Sequence, residues 1–487
     1  MEKTPNFHPL AREHNFIPSP LSRIYLMGIC GTGMAALAGA LKELGFEVTG
    51  SDRAAYPPMS TFLQQLGIRV RLGFDARNLQ PPPDLVVVGN VITRENPEVA
   101  EIARLKIPFV SFPQALNHFA MKDKKRIVIA GTHGKTTTSS LVAWILEAAG
   151  LDPDFMIGGI PLNFEKGFKL GSGPYFVVEG DEYDTAFFDK GPKFFHYSPL
   201  ILILTCIEFD HADIYDNLAQ ITANFERLVS MVPENGHIIA NWDDPLVRDL
   251  ARSAPCSVHY YGNDKNAQWR IEKASRNDRI SSILVRTEAR EKQPYSSPLY
   301  GKHNLSNLLA GVVAANILGL DQCSIEKATR SFKGVKRRQE QVGEVSGILV
   351  LDDFAHHPTA VRETTCAVKE TFAQRRLVAV FEPRSNSSRR NVFQKEYAQS
   401  FGAADLVIIP EPTMLERIPA NQRFSSSRLV QDLTGQGKEA YYAQDTSALL
   451  NLLVQKTRSG DVVLFMSNGD LENLPRRFLN ALKDPEA

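Results

Sequence analysis

Short apolar runs rich in β-branched residues alternate with longer segments of helical periodicity along most of the chain. In the first third, such runs begin at Arg23, Phe46, Asp84 and Pro108, and helical patterns separate them. Alternating strands and helices are typical of parallel α/β layers, in which helices cover the faces of a sheet. The pattern predicts a first α/β domain over 23–120.

Two further series of the same kind follow. One begins with RIVIAGT at Arg126 and continues through YFVVEGD and LILILTCIEFD, and the other begins with ILVLDDF at Ile348. A more irregular and polar region from about 255 to 297 interrupts the second series, and a helix is predicted to begin near Asn304. We predict a central domain over 121–334 and a C-terminal domain over 335–487, with residues 1–22 as a flexible extension.

Composition narrows the class of protein. The 487 residues suffice for three domains of roughly 150 residues each. The 55 basic and 55 acidic residues cancel, so no net charge draws the chain towards nucleic acid or an anionic membrane. Five cysteines without a CxxC spacing favour a reducing compartment, and no apolar run approaches the roughly 20 residues that span a bilayer. We predict a cytoplasmic protein without a nucleic-acid or membrane partner.

The strongest chemical signal is the segment AGTHGKTTTSS over 130–140, which lies between an apolar strand and an apolar helix. Gly131 and Gly134 allow successive backbone N–H groups to point at phosphate oxygens, and the following helix adds the positive end of its dipole. Lys135 supplies a mobile ammonium group for the β- and γ-phosphates, and the Thr136 hydroxyl suits Mg²⁺. The spacing G-x-x-G-K-T-T is shorter than the usual phosphate-loop pattern, and a glycine-rich turn without a ligand is the alternative.

Two acidic clusters follow the next strands of the central series. They consist of Glu179, Asp181, Glu182 and Asp184, and of Glu208, Asp210, His211 and Asp213. Taken singly, such acids are usually helix caps or solvated turn residues. At the ends of neighbouring parallel strands they would converge on the phosphate loop, and hard oxygen ligands suit Mg²⁺. The predicted fold class is α/β in three domains. A P-loop ATPase-like central domain would lie between Rossmann-like N-terminal and C-terminal domains.

The first domain carries a second glycine-rich turn. GICGTGMAALAG contains Gly31-x-Gly33-x-x-Ala36 between a strand and a helix, and Asp52 ends the next strand. This spacing fits a turn whose backbone approaches a diphosphate while the carboxylate bonds ribose hydroxyls. The turn alone does not separate NAD from another nucleotide diphosphate such as a UDP-sugar, and a turn with packing glycines is the alternative. A ligase that takes one nucleotide-diphosphate substrate and ATP would use both glycine-rich turns, whereas an oxidoreductase would leave one unused.

In this order, the motifs resemble the Mur ligase family, whose members build the peptide of bacterial cell-wall precursors. The resemblance runs from about Arg23 to the end of the chain and includes GTHGKTTT, the Glu179 motif, the Asp210–His211 pair, GKHNLSN and DDFAHHPTA. GICGTGM, GTHGKTTT and DDxxHHP are similar to the branch that uses UDP-N-acetylmuramate. EGDEYDTAFFDKGPKFFHYSP resembles the members of that branch that add a murein tripeptide, since alanine-adding members usually have fewer residues between the motif glutamate and histidine.

The resemblance also implies roles for individual residues. The catalytic residues would be Lys135, Glu179, His211 and Arg338. The ATP site would consist of Gly131, Thr132, His133, Gly134, Lys135, Thr136, Thr137, His303, Asn304, Asn307, Arg338 and Asp353. Thr136 and Glu179 would ligate one Mg²⁺, and His211 a second. The substrates would be bound by Gly31, Thr32, Gly33 and Asp52 in the first domain and by His357, Arg384 and Arg389 in the C-terminal domain.

Several of these residues also have a simpler interpretation. The asparagines of GKHNLSN lie at a predicted helix start, where asparagine is a common cap. The paired aspartates of ILVLDDF follow an apolar strand, and a turn is their alternative role. Arg384, Arg389 and Arg390 form either a solvated charged face or contacts for an acidic peptide, since guanidinium groups pair well with carboxylates.

The implied function is ATP- and Mg²⁺-dependent ligation in the bacterial cytoplasm. The L-alanyl amine of L-Ala-γ-D-Glu-meso-diaminopimelate would be joined to the lactyl carboxylate of UDP-N-acetylmuramate through an acyl phosphate, in peptidoglycan recycling. The third domain is expected to close over the central one and shield that intermediate from water. The chain would act as a monomer or weak homodimer. The alternatives are a UDP-N-acetylmuramate–L-alanine ligase of peptidoglycan biosynthesis, a catalytically inactive nucleotide-binding regulator and, more remotely, an NAD-dependent oxidoreductase.

Overall fold

A computed structural model of the chain describes residues 10–55, 59–277 and 279–483. Within these ranges, three main sheets follow one another along the chain, and we call their α/β units the first, central and third domains. The limits between the domains, at 120/121 and 334/335, stay predictions. Across the described residues, no helix combines the length and apolarity needed to cross a membrane.

The first domain is a parallel sheet with helices on its faces. Its strands are β1 (Arg23–Met27), β2 (Glu47–Asp52), β3 (Arg69–Leu72), β4 (Leu85–Val88) and β5 (Phe109–Ser111). Its helices are α1 (Thr32–Glu43), α2 (Met59–Gln65), α3 (Pro97–Leu105) and α4 (Phe112–Leu116). The strand order β3-β2-β1-β4-β5 reverses direction beside β1, and ligands bind at such a switch point in open parallel sheets.

Residues 10–22 pack on this sheet, although the sequence predicted a flexible extension over 1–22. Leu10 is 2% exposed and belongs to the core cluster around Tyr25. The Asn15 side chain donates a hydrogen bond to the Phe109 carbonyl at 2.9 Å and another to Gln114 Oε1 at 3.2 Å. Scattered apolar residues therefore anchor a segment that lacks any periodic pattern. The remaining part of the predicted extension, 1–9, lies outside the described residues.

The central domain is a mixed sheet that runs in the order β17-β16-β15-β14-β13-β12-β6-β9-β7-β8. Its strands are β6 (Lys125–Ala130), β7 (Asp154–Met156), β8 (Phe168–Lys169), β9 (Tyr175–Gly180), β12 (Ile201–Leu204), β13 (His237–Asn241), β14 (Ser257–Gly262), β15 (Trp269–Asn277), β16 (Ile280–Arg286) and β17 (Lys292–Ser297). A separate antiparallel hairpin is formed by β10 (Asp184–Ala186) and β11 (Asp189–Pro192). The helices are α5 (Lys135–Ala148), α6 (Leu218–Ser230), α7 (Pro245–Ala251), α8 (Lys302–Ile317) and α9 (Gln322–Ser331).

The expectation of an irregular region over 255–297 is wrong. This region forms β14 to β17, and the last three of these strands pair antiparallel. Their side chains alternate between buried and exposed positions, as in β16, because one face of the antiparallel sheet meets solvent. The helix predicted near Asn304 begins at Lys302.

The third domain is again built on a mostly parallel sheet, with the order β18-β19-β23-β20-β21-β22. Its strands are β18 (Glu340–Val345), β19 (Ile348–Asp353), β20 (Arg376–Phe381), β21 (Leu406–Pro410), β22 (Glu439–Ala443) and β23 (Asp461–Met466). Its helices are α10 (Pro358–Thr371), α11 (Gln394–Ser400), α12 (Ser426–Gly435), α13 (Thr446–Lys456) and α14 (Leu474–Lys483). The loops at the carboxyl ends of its strands contact the central domain, where His357 meets Phe209 and Ser387 meets Asp210. The predicted substrate-binding residues of the third domain therefore lie beside the acidic cluster that follows β12.

Candidate active site

The phosphate loop joins β6 to α5 at the carboxyl edge of the central sheet. Gly131 and Gly134 have φ angles of +136° and +84°, which side-chain-bearing residues rarely adopt. A Cβ atom at Gly134 would lie 2.5 Å from Asn307 Oδ1, so glycine allows helix α8 to approach the loop. Helix α5 begins at Lys135, and the N–H groups of its first turn have no acceptor within the helix. The loop therefore has the geometry of an anion site at a helix N-terminus.

The other loop residues fix its position. Thr132 Oγ1 accepts a hydrogen bond from the Glu208 backbone at 2.9 Å, and His133 Nε2 lies 2.8 Å from Glu208 Oε2. Thr137 is buried in the first turn of α5. The loop is thus tied to the segment that follows β12, the strand next to β6 in the sheet.

Lys135, Glu182 and His211 form a charged triad beside the loop, in which Glu182 is buried and the two cations are half-buried. Lys135 Nζ lies 2.8 Å from Glu182 Oε2 and 2.6 Å from the Gly131 carbonyl oxygen, while His211 Nε2 lies 3.2 Å from Glu182 Oε1. Burial opposes each charge, but the two cations hold the pKa of Glu182 below its usual value. Burial alone would lower the pKa of Lys135 and of His211. The negative charge of Glu182 outweighs this effect, so the pKa of Lys135 is raised and that of His211 is raised to about 9.

Thr136, Glu179 and Arg338 form a second cluster at the loop. Thr136 Oγ1 donates a hydrogen bond to Glu179 Oε2 at 3.0 Å and accepts one from Arg338 Nη2 at 3.2 Å. Glu179 Oε1 accepts from the Gly158 N–H at 2.7 Å. Burial, and then the nearby charge of Asp181, raise the pKa of Glu179. A hydroxyl and a buried carboxylate in contact are ligands that suit Mg²⁺, and Arg338 brings a cation from the start of the third domain.

The histidine and asparagines of GKHNLSN lie within the first two turns of α8. Asn304 Nδ2 donates to the Tyr300 carbonyl at 3.1 Å and to Gln339 Oε1 at 2.9 Å, and Asn307 donates to Asn304. The helix is capped by Gly301 without a side-chain bond, so the alternative role of these asparagines as caps is wrong.

His303 carries a polar atom that suits a ligand. The residue is half-buried, but its Nδ1 is shielded from solvent and has no hydrogen-bond partner among the described residues. Burial, and then the neighbouring His133 and Arg338, lower the pKa of His303 to about 4, so its ring is neutral near pH 7. A buried nitrogen without a partner is costly unless a bound molecule satisfies it, and an adenine base offers matching groups.

Asp352 and Asp353 end β19, and their alternative role as turn residues is wrong. Asp352 Oδ2 accepts from Arg337 Nε at 3.1 Å. Asp353 accepts backbone hydrogen bonds from Gln339 and Ala355, both at 2.7 Å. Asp353 therefore fixes the backbone next to Arg338, the arginine that contacts Thr136 of the phosphate loop.

The first-domain turn and the central domain enclose one cavity. Gly31 precedes α1, and Asp52 Oδ2 accepts a hydrogen bond from the Cys30 N–H at 2.8 Å, which holds the turn. The cavity has a volume of about 260 Å³. It is lined by Gly31, Thr32, Gly33, Met34, Asn90, Phe112, Met156, Ile157, Gly158, Val178, Glu179, Asp181, Tyr183, Thr185, Lys193 and Tyr197. Its walls thus join the predicted diphosphate turn to the predicted metal ligand Glu179.

Lys193 is a site residue that the sequence did not single out. Its Nζ lies 3.1 Å from Asp181 Oδ2 and 2.9 Å from the Tyr183 hydroxyl, and it lies over the Tyr183 ring. Lys193 is the one cation among the described residues that line the cavity. The available signal was its position in EGDEYDTAFFDKGPKFFHYSP, the segment on which the predicted resemblance to tripeptide-adding members rests.

The arginines of the third domain differ in their environment. Arg389 is 9% exposed and donates to the Thr413 carbonyl and to Asn386 Oδ1, so the alternative of a solvated face is wrong for it. Arg384 Nη1 lies 3.5 Å from Asp470 Oδ1. Burial lowers the pKa of Arg389, and Arg417 and Arg384 add to this effect. The carboxylates of Glu416 and Asp213 act on Arg389 in the opposite direction, so three guanidinium groups share this region with two acids. Guanidinium groups pair well with the carboxylates of a ligand.

His357 and Ser387 connect the third domain to the central one. The His357 side chain caps α10, its Nε2 lies 3.1 Å from the Phe209 carbonyl oxygen, and its Nδ1 lies 3.4 Å from Glu208 Oε2. The Ser387 hydroxyl donates to Asp210 Oδ1 at 2.7 Å. His357 therefore lies at the boundary between the domains, next to the phosphate loop.

Comparisons with known proteins agree with this arrangement. Three family models match the chain: "Mur ligase family, catalytic domain" over 23–124, "Mur ligase middle domain" over 129–315 and "Mur ligase, glutamate ligase domain" over 337–469. The UDP-N-acetylmuramate–L-alanyl-γ-D-glutamyl-meso-2,6-diaminoheptandioate ligase of Escherichia coli (strain K12) is 40% identical over 462 residues, which cover 94% of this chain and 98% of that protein.

Two solved structures show the same fold over nearly the whole chain. The murein peptide ligase of Psychrobacter arcticus 273-4 has a TM-score of 0.74 at 35% identity and covers 95% of this chain and 99% of its own. The UDP-N-acetylmuramate–alanine ligase of Thermotoga maritima has a TM-score of 0.80 at 26% identity and covers 95% and 100%. Near-complete coverage at these identities leaves one conclusion: the chain belongs to the Mur ligase family.

Proposed function

We propose that this chain joins the L-alanyl amine of L-Ala-γ-D-Glu-meso-diaminopimelate to the lactyl carboxylate of UDP-N-acetylmuramate, with hydrolysis of ATP to ADP and phosphate. The observation that carries the proposal is the cavity between the turn at Gly31–Gly33 and Glu179. A nucleotide-sugar bound at the turn would extend its sugar along this cavity. Its carboxylate would then reach the phosphate loop, where Glu179 contacts Thr136.

The chemistry follows from the need to activate a carboxylate. A free carboxylate does not acylate an amine at neutral pH, because its oxygen is a poor leaving group. Transfer of the γ-phosphoryl group from ATP to a carboxylate oxygen forms an acyl phosphate and releases ADP. The amine nitrogen then attacks the carbonyl carbon, the C–O bond to the phosphate breaks, and the amine loses a proton.

The buried charges of the loop suit this reaction. We propose that ATP phosphates bind the backbone of 131–137 with Lys135 and Arg338, and that the unpaired Nδ1 of His303 meets the adenine side. Thr136 and Glu179 would hold one Mg²⁺, and His211, once it has given up its proton, would hold a second; the ions neutralise phosphate charge when bound. Lys135 would exchange its contact with Glu182 for phosphate oxygens, and fixed cations in a buried site stabilise charge that develops there.

The identity of the amine is the finer part of the proposal. Sequence identity favours the peptide ligases named above, and the guanidinium groups around Arg389 suit the carboxylates of γ-D-Glu and diaminopimelate. The higher TM-score of the Thermotoga maritima enzyme favours the second candidate, a UDP-N-acetylmuramate–L-alanine ligase. The TM-score responds to the arrangement of the domains as well as to the site, whereas the arginines around Arg389 belong to the site itself.

A ligation assay tests both parts. ADP release with UDP-N-acetylmuramate is measured with the tripeptide and with L-alanine at equal concentrations. We expect kcat/KM for the tripeptide to exceed that for L-alanine by about 10²-fold or more, because several charged contacts are lost with alanine. Equal or better use of alanine would assign the chain to the biosynthetic reaction.

A variant of the loop separates ligation from mere nucleotide binding. Lys135→Ala should lower kcat/KM by about 10²-fold or more, because removal of one group that stabilises developing charge has this effect in other enzymes. UDP-N-acetylmuramate should still bind, since Lys135 lies outside the cavity lining. Near-normal turnover of the variant would refute the phosphate-loop assignment, and absence of turnover in the wild type would favour an inactive regulator.

A further inference from the structure

Three potential metal ligands meet where the phosphate loop faces the third domain. His133 Nε2 lies 2.8 Å from Glu208 Oε2, and His357 Nδ1 lies 3.4 Å from the same oxygen. The ligand atoms of these residues all lie within 4.8 Å of one another. Ligands about 2.0–2.2 Å from a tetrahedral ion lie roughly 3.3 Å apart, so small side-chain movements bring the three atoms to coordination distance.

The hydrogen bonds around His357 orient it as a ligand. Its Nε2 faces the Phe209 carbonyl oxygen at 3.1 Å, and an acceptor there requires Nε2 to carry the proton. In the neutral ring Nδ1 then presents a lone pair towards Glu208 Oε2, which also presents lone pairs. A cation between the two acceptors removes this repulsion. It would replace the long bond of 3.3 Å that Nδ1 accepts from the Thr359 N–H.

Glu208 is held in place by a partner of its own. The Thr359 hydroxyl donates to Glu208 Oε1 at 3.0 Å and leaves Oε2 directed at the two histidines. Hydrogen bonds that orient a ligand from behind are a regular feature of metal sites. The cluster thus has ligands and orienting groups together.

We propose that His133, Glu208 and His357 bind a divalent transition-metal ion, with Zn²⁺ as the ion that fits best. Two imidazole nitrogens and one carboxylate oxygen are a common Zn²⁺ ligand set with one open position. The hard-oxygen pair Thr136–Glu179 suits Mg²⁺ instead, so the two metals would occupy different sites.

The ion would hold the domains together. His133 and Glu208 belong to the central domain, whereas His357 caps the start of α10 in the third domain. The complete ligand set therefore exists only while the third domain lies against the central one. Binding of the ion favours that closed arrangement, since a ligand stabilises the state that it binds better. This inference concerns metal coordination and does not rest on the ligation reaction.

The test uses the full-length chain without nucleotide, in excess Mg²⁺, with Zn²⁺ delivered from a chromophoric chelator. We expect one Zn²⁺ per chain in the wild type, and an affinity at least tenfold lower in His357→Gln. Thr359→Val keeps every ligand but loses the bond to Glu208, and we expect a loss of about tenfold. Small-angle scattering should show that Zn²⁺ makes the wild type more compact and has no such effect on His357→Gln.

A second histidine cluster provides the matched control. His259 Nε2 lies 3.2 Å from His237 Nδ1, and its Nδ1 lies 3.3 Å from Glu288 Oε2, but the contacts use opposite sides of the ring. His259→Gln should therefore keep the Zn²⁺ affinity of the wild type. The proposal is overturned if the wild type binds Zn²⁺ no more tightly than Thr359→Val and His357→Gln, or if His259→Gln is the variant that loses the ion.

Discussion

At the scale of single residues, the site is a set of buried charges that are matched in pairs. Lys135 is matched by Glu182, and Lys193 by Asp181. An unpaired charge in such surroundings costs several kcal/mol. Each ion pair therefore keeps both side chains charged and in position when no ligand is bound. Lys193 differs from Lys135 because it lines the cavity rather than the phosphate loop.

Lys193→Met should weaken binding of the nucleotide-sugar. The variant removes the cation of the cavity and leaves Asp181 without its ion pair, which places uncompensated negative charge beside an anionic substrate. We expect KM for UDP-N-acetylmuramate to rise by about tenfold, equivalent to about 1.4 kcal/mol, with a smaller change in KM for ATP. Initial rates at varied concentrations of each substrate measure both values.

Lys190→Met is the matched control for this variant. Lys190 lies in the same stretch, but its side chain is 67% exposed and it pairs with Asp184 outside the cavity. Exposed ion pairs contribute little, so its kinetic constants should stay near those of the wild type. Equal effects of the two substitutions would show that Lys193 acts through the net charge of this part of the chain and not through its position in the cavity.

Gly134→Ala should reduce the affinity for ATP. The alanine would have to adopt a φ of +84°, and its Cβ would lie 2.5 Å from Asn307 Oδ1, so the loop must move. We expect an affinity loss of more than about tenfold, because the left-handed conformation alone costs roughly 1–2 kcal/mol and the clash adds to it. Calorimetric titration with a non-hydrolysable ATP analogue measures the change.

Gly150→Ala isolates the conformational part of that effect. Gly150 follows the same helix α5 with a φ of +76°, and a Cβ there would meet no atom within 4 Å. This variant should lose about 1 kcal/mol of stability and keep its affinity for ATP. A similar loss of affinity in both variants would attribute the effect to the stability of α5 rather than to the loop.

At the scale of elements, buried parallel strands were the easiest to predict. Strands such as β12 and β20 are covered on both faces, so their sequences are nearly continuous apolar runs. The strands β14 to β17 escaped prediction because cross-strand charges replace apolar residues on their open face. Glu272, for example, pairs with Arg270, Arg286 and Lys292.

The parts of the active site also differ in how well the sequence predicts them. The phosphate loop and the acids after β9 and β12 are local motifs, and neighbouring parallel strands bring them together. Contacts such as Arg338 with Thr136 join residues about 200 positions apart, and no local pattern encodes their distance. The resemblance supplied Arg338, whereas Lys193 and the role of Glu182 required the structure.

Glu98, at the start of α3, joins three elements of the first domain through one buried carboxylate. It accepts hydrogen bonds from the Tyr25 hydroxyl, the Ser51 hydroxyl and Asn78 Nδ2. Glu98→Ala would leave these donors without a partner and should cost about 3 kcal/mol of stability. Hydrogen exchange of the β1 amides, which reports opening of this domain, measures the loss.

Glu98 also makes the stability of the first domain depend on pH. Burial raises its pKa in the folded state above the ordinary value of 4.5, so the folded chain holds the proton more firmly than the unfolded chain. This contribution to stability is complete below pH 4.5 and is lost as the pH rises through the folded-state pKa. The stability of the wild type relative to Glu98→Gln should therefore decrease as the pH rises above 4.5 and through the folded-state pKa of Glu98. A pH-independent difference would contradict the raised pKa.

At the scale of the whole molecule, the two interfaces of the central domain differ in kind. The first domain shares a continuous apolar core with it, and the ring of Phe168 packs where a side chain on Gly39 of α1 would be. The third domain has a core of its own, against which Phe209 and Tyr300 of the central domain pack, and the remaining contacts include polar ones such as those of His357 and Ser387. Apolar interfaces are hard to separate, whereas polar ones permit domain motion. Opening and closing should therefore take place between the central and third domains.

Ser387→Ala should shift the protein towards the open arrangement. The Ser387 hydroxyl donates to the buried Asp210 carboxylate and accepts from the Ala212 N–H. Its removal takes one donor from Asp210, which keeps the bond from the His211 N–H, and leaves the Ala212 N–H without this acceptor in the closed form alone. In the open form water satisfies both groups, and the closed form should lose about 1–3 kcal/mol relative to it. We expect a larger radius of gyration by small-angle scattering and a fall in kcat/KM of about tenfold. Ser385→Ala is the control, because Ser385 bonds Ser388 within the third domain, and it should change neither value. If both variants scatter like the wild type while only Ser387→Ala loses activity, the hydroxyl acts on the reaction and not on closure.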